Sequence, residues 1–340
     1  MKNITLNLGD RSYGITVAKG GIGMAGSLWE LNRKVFIVTD SGVPREYAEK
    51  IKEQSREAII YTVCEGEKSK SFETLKELLS AMLEFDMSRG DCAVAVGGGV
   101  VGDLTGFAAS IYMRGIDFYN VPTTLLSQVD SSIGGKTAIN LDGVKNTVGA
   151  FYQPKGVLID TDTLKTLPRR HILAGLAESI KMSLTSDKEL FELIEKEGFT
   201  EENTETVITR SLMIKKSVVE CDEKENGIRK ILNFGHTFGH GIESAEGMSG
   251  LYHGECVALG MIPMCAEELS ARVKKLLSRL GLVTEYVGEI DAALDFVVHD
   301  KKCKGGFVEA IFVDTPGSYK IQKLAISDFS RMIKERLGKA

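Results

Sequence analysis

Two histidines lie four residues apart in the segment NFGHTFGHGIE (233–243), in a chain with only five histidines. Four residues are just over one turn of an α-helix, so His236 and His240 would project from one helix face and could share a ligand. A zinc metalloprotease helix carries Glu directly after its first histidine, whereas Thr237 stands here. A metal site would therefore need a ligand from elsewhere, and His253 in LYHGECVALG is a candidate. The alternative to a metal site is that these histidines are ordinary core or surface residues.

A glycine cluster in VAVGGGVVGD is a second candidate site. Gly97, Gly99 and Gly102 satisfy G-x-G-x-x-G between a predicted strand and a predicted helix. Such glycines let the backbone approach a pyrophosphate, while the helix N-terminus supplies N–H donors. Asp40 ends the strand FIVTD, where a carboxylate could accept hydrogen bonds from a ribose, and EGEKSKS (65–71) follows another strand. A tightly packed turn without a ligand is the alternative.

The segment 114–146 places charged and amide side chains among small residues, which suggests a ligand cavity. These side chains are Arg114, Asp130, Lys136, Lys145 and Asn146. Most lysines of any chain are simply solvated. The GGK of this segment is not a P-loop, because Asp130 stands where that motif requires its first glycine, six residues before the lysine.

Two kinds of structure must position these residues. The first half alternates strands and helices, which is typical of a parallel α/β sheet. Its predicted strands lie in 4–17, 34–40, 57–63, 91–96, 116–122 and 156–161, and a predicted helix covers 72–85. Predicted helices follow at 188–196, 203–221, 236–246 and 254–271, with a strand pair in GFVEAIFVD and SYKIQKLA. We therefore predict an α/β domain over 1–164 and a mainly helical domain over 165–340.

Composition limits the class of protein. A chain of 340 residues with 43% apolar content can bury a large core, and its length favours two domains. A net charge of -5 provides no overall attraction to nucleic acid or an anionic membrane. The six cysteines form no C-x-x-C pair, which favours free thiols. No apolar run has the length of a signal peptide core or a membrane span, so we expect a cytoplasmic protein.

Six ordered segments resemble the 3-dehydroquinate synthase family. They are GGGVVGDLTGFAAS, RGIDFYNVPTTLLSQVDSSIGGKTAIN, KN, LAESIK, LNFGHTFGHGIE and HGECVALGM, spread over nearly the whole chain. The resemblance implies a Rossmann-like NAD-binding α/β domain followed by a mainly helical, metal-binding domain. It also implies a homodimer.

The resemblance divides the histidine pair. Glu178, His236 and His253 match the family's zinc ligands, while His240 matches a histidine that faces the substrate phosphate. Two imidazoles and one carboxylate suit a catalytic Zn²⁺ or Co²⁺ with open positions for substrate.

The implied substrate is a sugar phosphate acid, 3-deoxy-D-arabino-heptulosonate 7-phosphate. The family oxidises C5 with NAD⁺, eliminates phosphate, returns the hydride, and opens and recloses the ring by an aldol step. The resemblance implies phosphate-side roles for Lys136, Asn146, Asn233, His240 and either Lys301 or Lys302, with Arg114 arriving from a second subunit. Lys181, Lys215 and Arg229 match the side that holds the carboxylate and ring hydroxyls, and Asp130 matches a residue beside the reacting centre.

The resemblance also implies a set of residues that contact NAD. They are Asp40, Glu67, Lys70, Gly98, Gly99, Asp103, Thr123, Thr124, Lys145, Thr163 and Thr166. The chain departs from the family at His171, where Glu is usual, and at Ser179, where a branched apolar residue is usual. We expect His171 and His299 to be structural or surface residues.

Three alternatives remain open. Other sugar phosphate cyclases use NAD and a metal but lack a substrate carboxylate, and the presence of Lys215 and Arg229 argues against them. A metal-dependent polyol dehydrogenase would accumulate NADH with product. A non-catalytic NAD or metal sensor would not need so many phosphate and carboxylate partners.

Overall fold

The computed structural model describes residues 1–225, 227–247, 250–299 and 306–338. The chain divides into an N-terminal unit, Met1–Pro168, and a C-terminal unit, Arg169–Ala340. Among the described residues, no helix has both the length and the apolar character needed to cross a bilayer. The five described cysteines are free thiols.

The N-terminal unit is an α/β unit built on one large sheet. Its strands are β1 (Lys2–Leu6), β2 (Tyr13–Ala18), β3 (Lys34–Asp40), β4 (Glu57–Val63), β5 (Cys92–Gly97), β6 (Asp117–Pro122), β7 (Lys136–Leu141), β8 (Val144–Phe151) and β9 (Gly156–Asp160). Its α-helices are α1 (Ala25–Leu28), α2 (Arg45–Lys52), α3 (Phe72–Glu84) and α4 (Gly99–Ile111). The sheet order is β1-β2-β9-β6-β5-β3-β4, in which only the β1–β2 pair is antiparallel.

The buried runs of the central strands reflect a sheet that is covered on both faces. In β3, Phe36 and Val38 pack into one apolar cluster, whereas Val35 and Ile37 pack into the cluster on the other side. Successive side chains of a strand point to opposite faces, so a strand without polar alternation is stable only between two covering layers. The predicted parallel α/β sheet is confirmed.

A hairpin that the sequence analysis did not assign follows β6. Strands β7 and β8 pair antiparallel in a small separate sheet. The turn between them contains Asp142 and Gly143, both with positive φ (50° and 78°). Asp-Gly with two positive φ values is the usual two-residue hairpin turn, so a local signal for this hairpin was present.

The C-terminal unit is mainly helical, as predicted. Its elements are α5 (Arg169–Ser186), α6 (Lys188–Glu197), α7 (Thr204–Cys221), α8 (His236–Glu246), α9 (His253–Met261), α10 (Glu267–Leu280), α11 (Ile290–His299), β10 (Phe307–Phe312), β11 (Lys320–Ala325) and α12 (Ile326–Arg336). Strands β10 and β11 form the predicted antiparallel pair.

The single helix predicted over 254–271 is wrong. A 3₁₀ turn, Ile262–Met264, separates α9 from α10, and Cys265 is extended. Pro263 lacks an N–H and cannot continue the helical hydrogen bonds. The backbone instead pairs with the segment after β10, since Ala266 N donates to Val313 O and Val313 N donates to Met264 O, at 3.0 and 3.1 Å.

Candidate metal and cofactor sites

Three histidines converge at the start of α8 and α9. The ring centroid of His236 lies 5.0 Å from that of His240 and 5.2 Å from that of His253, and the His240 and His253 centroids are 5.7 Å apart. One ring nitrogen from each lies within 4.8 Å of the others. Gly235 in the left-handed conformation starts α8, which puts His236 in its first turn. This arrangement could hold a metal ion.

Glu178 on α5 joins the same cluster. Its Oε1 lies 3.6 Å from His236 Nε2 and 3.5 Å from His253 Nε2, and its side chain is fully buried. Within the described part of the chain, neither carboxylate oxygen has a hydrogen bond of good geometry. Lys181 Nζ forms an ion pair with Oε2 at 2.5 Å. A buried carboxylate beside imidazole nitrogens, without hydrogen bonds, fits a divalent metal such as Zn²⁺.

The other nitrogen of two of these rings is held by an acceptor. His236 Nδ1 lies 3.1 Å from Phe234 O, and His253 Nδ1 lies 3.0 Å from Glu243 Oε2. An acceptor at Nδ1 keeps the proton there and leaves the Nε2 lone pair for a metal. Both Nε2 atoms accordingly face Glu178, which favours Glu178, His236 and His253 as one ligand set. The division of roles between His236 and His240 remains a prediction.

The sequence analysis missed Glu243. It is the last residue of NFGHTFGHGIE, seven residues after His236 and three after His240, so it shares their side of α8. That spacing was a usable signal. Glu243 contacts His253, which lies ten residues further along the chain and reaches Glu243 only in the folded structure.

The local charges set the protonation of this cluster. Burial opposes ionisation of Glu178, but the charge of Lys181 and the contact with His253 bring its pKa down to about 2. Burial, followed by the charge of Lys181, holds the pKa of His236 well below its usual value. Burial also lowers the pKa of His253, but the carboxylates of Glu178 and Glu243 outweigh it and raise that pKa to about 10. A metal would displace the His253 proton on binding.

The predicted carboxylate-side residues are buried in the same unit. Lys215 on α7 is buried, and Arg229 is only 2% exposed in the 3₁₀ turn Ile228–Asn233 that precedes α8. The Arg229 guanidinium donates to the Glu223 carbonyl, and its backbone N–H donates to Asp222 Oδ2 at 3.0 Å. Asn233 Nδ2 donates to Glu225 Oε1 at 2.9 Å. Lys301 and Lys302 lie outside the described residues.

In the N-terminal unit, most of the predicted NAD contacts follow the carboxyl ends of parallel strands. Asp40 ends β3 and accepts from Gly42 N at 2.8 Å, and Gly98 and Gly99 join β5 to α4. Thr123 and Thr124 follow β6, whereas Thr163 and Thr166 lie in the 3₁₀ turn after β9. Carboxyl ends of parallel strands share one edge of the sheet, where nucleotides bind in open α/β folds.

Close packing explains several of these glycines. A Cβ on Gly97 would lie 2.6 Å from a Val101 methyl, and one on Gly98 would lie 3.0 Å from Thr124 Cγ2. Glycine here permits the close approach of β5, α4 and the segment after β6. The same glycines could therefore serve both a tightly packed turn and the binding of a cofactor.

Lys70 is buried and forms the centre of a polar network. Its Nζ lies 2.7 Å from Asp103 Oδ2 and 3.7 Å from Glu67 Oε1, and it donates to Asn146 Oδ1. Asn140 donates to Glu67 at 2.8 Å, and its own Oδ1 accepts from Asn146 N. Asn146, predicted as a phosphate-side residue, thus contacts a lysine predicted for NAD. Sequence reasoning missed Asn140, whose place depends on the β7–β8 hairpin.

The remaining predicted residues of this unit lie in irregular segments. Asp130 is in a π-helical turn, Ser127–Ser131, a feature frequent at functional sites. Lys136 is the exposed first residue of β7, and Lys145 is exposed on β8. Arg114 is exposed with φ 67°, next to Met113 with φ 49°.

Gln128 and His171 contact other parts of the fold within their own units. Gln128 is fully buried, and its Nε2 donates to the carbonyls of Pro122 and Asp160 and to Thr163 Oγ1 at 3.0 to 3.2 Å. It therefore ties the ends of β6 and β9 together. His171, expected to be a structural or surface residue, is exposed and packs against Tyr252, with ring centroids 4.9 Å apart and ring planes tilted by 41°.

Family models match two adjoining segments of the chain. The 3-dehydroquinate synthase N-terminal model matches residues 60–174, and the C-terminal model matches residues 175–303. A protein named 3-dehydroquinate synthase from Streptococcus sanguinis is 40% identical, over 98% of this chain and 99% of that protein. One of the same name from Streptococcus pneumoniae is 40% identical, over 96% and 98%.

Solved structures of sugar phosphate cyclases share the fold. A 2-deoxy-scyllo-inosose synthase complexed with carbaglucose-6-phosphate, NAD⁺ and Co²⁺ has a TM-score of 0.89 at 27% identity, covering 98% of this chain and 100% of the other. A 2-epi-5-epi-valiolone synthase from Streptomyces hygroscopicus, with NAD⁺ and Zn²⁺ bound, has a TM-score of 0.86 at 27% identity, covering 97% of each chain. Together with the family matches, these likenesses cover both units of the chain, which belongs to the 3-dehydroquinate synthase family.

Proposed function

We propose that this protein converts 3-deoxy-D-arabino-heptulosonate 7-phosphate into 3-dehydroquinate and phosphate, a carbon–oxygen lyase reaction of the shikimate pathway. The observation that carries the proposal is the cluster of Glu178, His236 and His253 in a chain of this family, with both Nε2 atoms within 3.6 Å of one buried carboxylate oxygen.

Glu178, His236 and His253 would hold a Zn²⁺ or Co²⁺ ion, which when bound would polarise substrate oxygens as a Lewis acid. Lys181 contributes a cation beside this ligand set, and its ion pair with Glu178 keeps the carboxylate ionised. Phe234 and Glu243 orient the two imidazoles. His240, in the same cluster, would contact the substrate phosphate.

The buried cations would recognise the anionic substrate. Lys215 and Arg229 would hold the carboxylate and ring hydroxyls, because a guanidinium pairs with a carboxylate through two parallel hydrogen bonds. Lys136, Asn146, Asn233 and one of Lys301 and Lys302 would hold the phosphate. Asp130 would act beside the reacting carbon.

Residues 1–164 would bind NAD⁺, which when bound would accept a hydride from the substrate and later return it, and residues 165–340 would bind metal and substrate. The proposed NAD contacts are Asp40, Glu67, Lys70, Gly98, Gly99, Asp103, Thr123, Thr124, Lys145, Thr163 and Thr166. In support, most of them lie at the carboxyl edge of the parallel sheet or in the Lys70 network.

The protein would act in the cytoplasm as a homodimer in which Arg114 reaches the partner's phosphate site. Two observations support the dimer. Met113 and Arg114 both have positive φ, and such strain in non-glycine residues is concentrated at functional positions. Beside them, the exposed apolar side chains of Phe72, Leu83, Ile111 and Met113 line one groove.

One assay tests the function. The purified protein is given the heptulosonate phosphate, Zn²⁺ and a catalytic amount of NAD⁺, and phosphate release and absorbance at the NADH band are followed together. We expect many phosphates released per NAD⁺ with no lasting NADH. Accumulation of NADH in step with product would favour a polyol dehydrogenase, and turnover only of substrates without a carboxylate would favour another cyclase. Metal binding without turnover would favour a sensor.

A further inference from the structure

Arg170, a residue outside the proposed site, connects α5 and α9, two of the three helices that carry the proposed metal ligands. It is the second residue of α5, and its Nε and Nη2 donate to Glu255 Oε1 and Oε2, each at 2.7 Å. Its guanidinium carbon also lies 4.0 Å from the centre of the Tyr252 ring. Bidentate arginine–carboxylate pairs are directional as well as strong, so this contact defines an orientation.

The partner of Arg170 belongs to the first turn of α9. Glu255 Oε2 also accepts from Tyr252 N at 2.8 Å, as in a capping box that starts a helix. His253 lies between Tyr252 and Glu255 in this turn. The Glu255 carboxylate, which pairs with Arg170, therefore caps the helical turn that contains His253.

Helices α5 and α9 also pack closely against each other, with no room for a side chain at Gly254. A Cβ on Gly254 would lie 2.0 Å from Ala174 O, so the α5 and α9 backbones approach as closely as glycine allows. Arg170, Ala174 and Glu178 follow one another at four-residue intervals and lie along one side of α5. The Arg170 contact, the Gly254 contact and the Glu178–His253 approach of 3.5 Å thus occur in succession along one helix pair.

We propose that Arg170 and Glu255 form a positioning clamp that sets the place of His253 relative to Glu178. The clamp rests on the proposed metal site, to which it adds no ligand. Two ligands on separate helices must keep their separation within a few tenths of an ångström for a metal to bind both, and a fixed first turn of α9 provides this.

A matched pair in the same unit supplies a control. Arg210 donates to Asp187 Oδ1 and Oδ2 at 2.6 and 2.8 Å, and Asp187 caps the start of α6 by accepting from Leu190 N. This pair has the same arginine–carboxylate chemistry as Arg170–Glu255, and its carboxylate also caps the first turn of a helix, although Asp187 is the N-cap residue and Glu255 is the third residue of its helix. Its helix, α6, carries none of the proposed metal ligands.

The test compares Arg170→Met with Arg210→Met by titrating each metal-free protein with Co²⁺ and recording the visible absorption spectrum. We expect Arg170→Met to weaken Co²⁺ binding by about tenfold or more and to alter the spectrum, the range seen when groups that support metal ligands are lost. Arg210→Met should retain the parent affinity and spectrum, although each of the two proteins loses the arginine that pairs with a helix-capping carboxylate. Arg170→Lys, which keeps the charge but not the two-bond geometry, should fall between parent and Arg170→Met.

Parent-like affinity and spectrum in Arg170→Met would overturn the clamp and leave the proposed function intact. Equal weakening of Co²⁺ binding in Arg170→Met and Arg210→Met would also overturn the clamp, because it would show a general effect of lower protein stability. If Arg170→Met does not fold, the Co²⁺ affinity and visible spectrum of Arg170→Lys and Glu255→Gln test the proposal instead. Failure of the parent protein to bind Co²⁺ would overturn the metal site of the proposed function, and the clamp with it.

Discussion

The imidazoles of the proposed metal site differ in what holds their second nitrogen. A backbone carbonyl holds Nδ1 of His236, and the Glu243 carboxylate holds Nδ1 of His253. Both rings therefore present Nε2 to Glu178, and the His240 ring lies in the same cluster, with its centroid 5.0 Å from that of His236. The ligand assignment can be tested one ring at a time.

We expect His236→Ala to lose metal, because it removes one of three protein ligands. His240→Ala should retain nearly normal metal content and lose phosphate-release activity. Metal content measured by atomic absorption separates the two, with His171→Ala as a control histidine outside the cluster. Equal loss of metal from the His236 and His240 variants would contradict the division of the pair.

Arg229 has a structural alternative to its proposed role, since its guanidinium donates to the Glu223 carbonyl. If Arg229 binds the substrate carboxylate, Arg229→Met should lose about 2 to 5 kcal/mol of transition-state stabilisation, a drop of orders of magnitude in kcat/KM. Zinc content and thermal stability should stay near the parent values. Lys230→Met is the control, because Lys230 pairs with Glu309 at 2.6 Å on an exposed surface. A variant that unfolds, or one with near-normal kcat/KM, would remove Arg229 from the site.

At the scale of elements, glycines determine how closely α8 and α9 approach. A Cβ on Gly260 would lie 1.9 Å from Gly235 O and 2.9 Å from Gly239 N. Because these contacts involve backbone atoms, the helices would have to separate to accept a methyl group. The histidines at the start of both helices depend on that approach.

Gly260→Ala should therefore destabilise the protein by about 1 to 3 kcal/mol or more, the usual cost of overpacking, and also weaken metal binding. Chemical denaturation and Zn²⁺ titration measure the two effects. Gly23→Ala is the control, since a Cβ there meets no atom within 4 Å. Parent-like stability in Gly260→Ala would show that the helix pair can relax without cost.

Asp91 supports the start of the central sheet and gives a prediction for pH. Burial opposes its ionisation, but hydrogen bonds from Ser88 and from Lys34 N lower its pKa below the usual value. A carboxyl whose pKa is lower in the folded state stabilises the fold above its unfolded pKa, about 3.9, and loses this effect as pH falls through the folded value.

Asp91→Asn should thus lower the free energy of unfolding at pH 7 by about 1 to 3 kcal/mol, the usual cost of unsatisfied buried donors. The difference from the parent should stay constant down to about pH 5 and shrink below about pH 4. Urea denaturation across this pH range measures it. A difference that does not depend on pH would show that the Asp91 charge contributes nothing.

At the scale of the whole molecule, the proposed assembly requires one residue to act in the neighbouring subunit. Arg114→Ala and Lys136→Ala should each be inactive as pure proteins. In a mixed dimer, the site that keeps Lys136 would receive an intact Arg114 from its neighbour, so random mixing should restore about a quarter of all sites. Phosphate release by mixed dimers, verified with two affinity tags, measures this. No recovery would mean that Arg114 acts in its own subunit.

Local patterns in the sequence were enough for the elements that depend on local chemistry. Unbroken apolar runs such as KVFIVTD predicted buried parallel strands, and the four-residue histidine spacing predicted a helix with both rings on one side; the structure confirms both. Family motifs added the proposed metal ligands, because residues as distant as Glu178 and His253 have no periodic relation to each other.

The tertiary structure decided the features that depend on contacts between distant segments. Pro263 is a local signal for the break between α9 and α10, but the pairing of that segment with Val313 is a tertiary contact. The network around Lys70 required the β7–β8 hairpin to return Asn140 and Asn146 to it. Glu243 and Arg170 read as ordinary charged residues in the sequence. Their roles depend on what lies 3 Å away, and only the packing of α5, α8 and α9 brings His253 and Glu255 within that range.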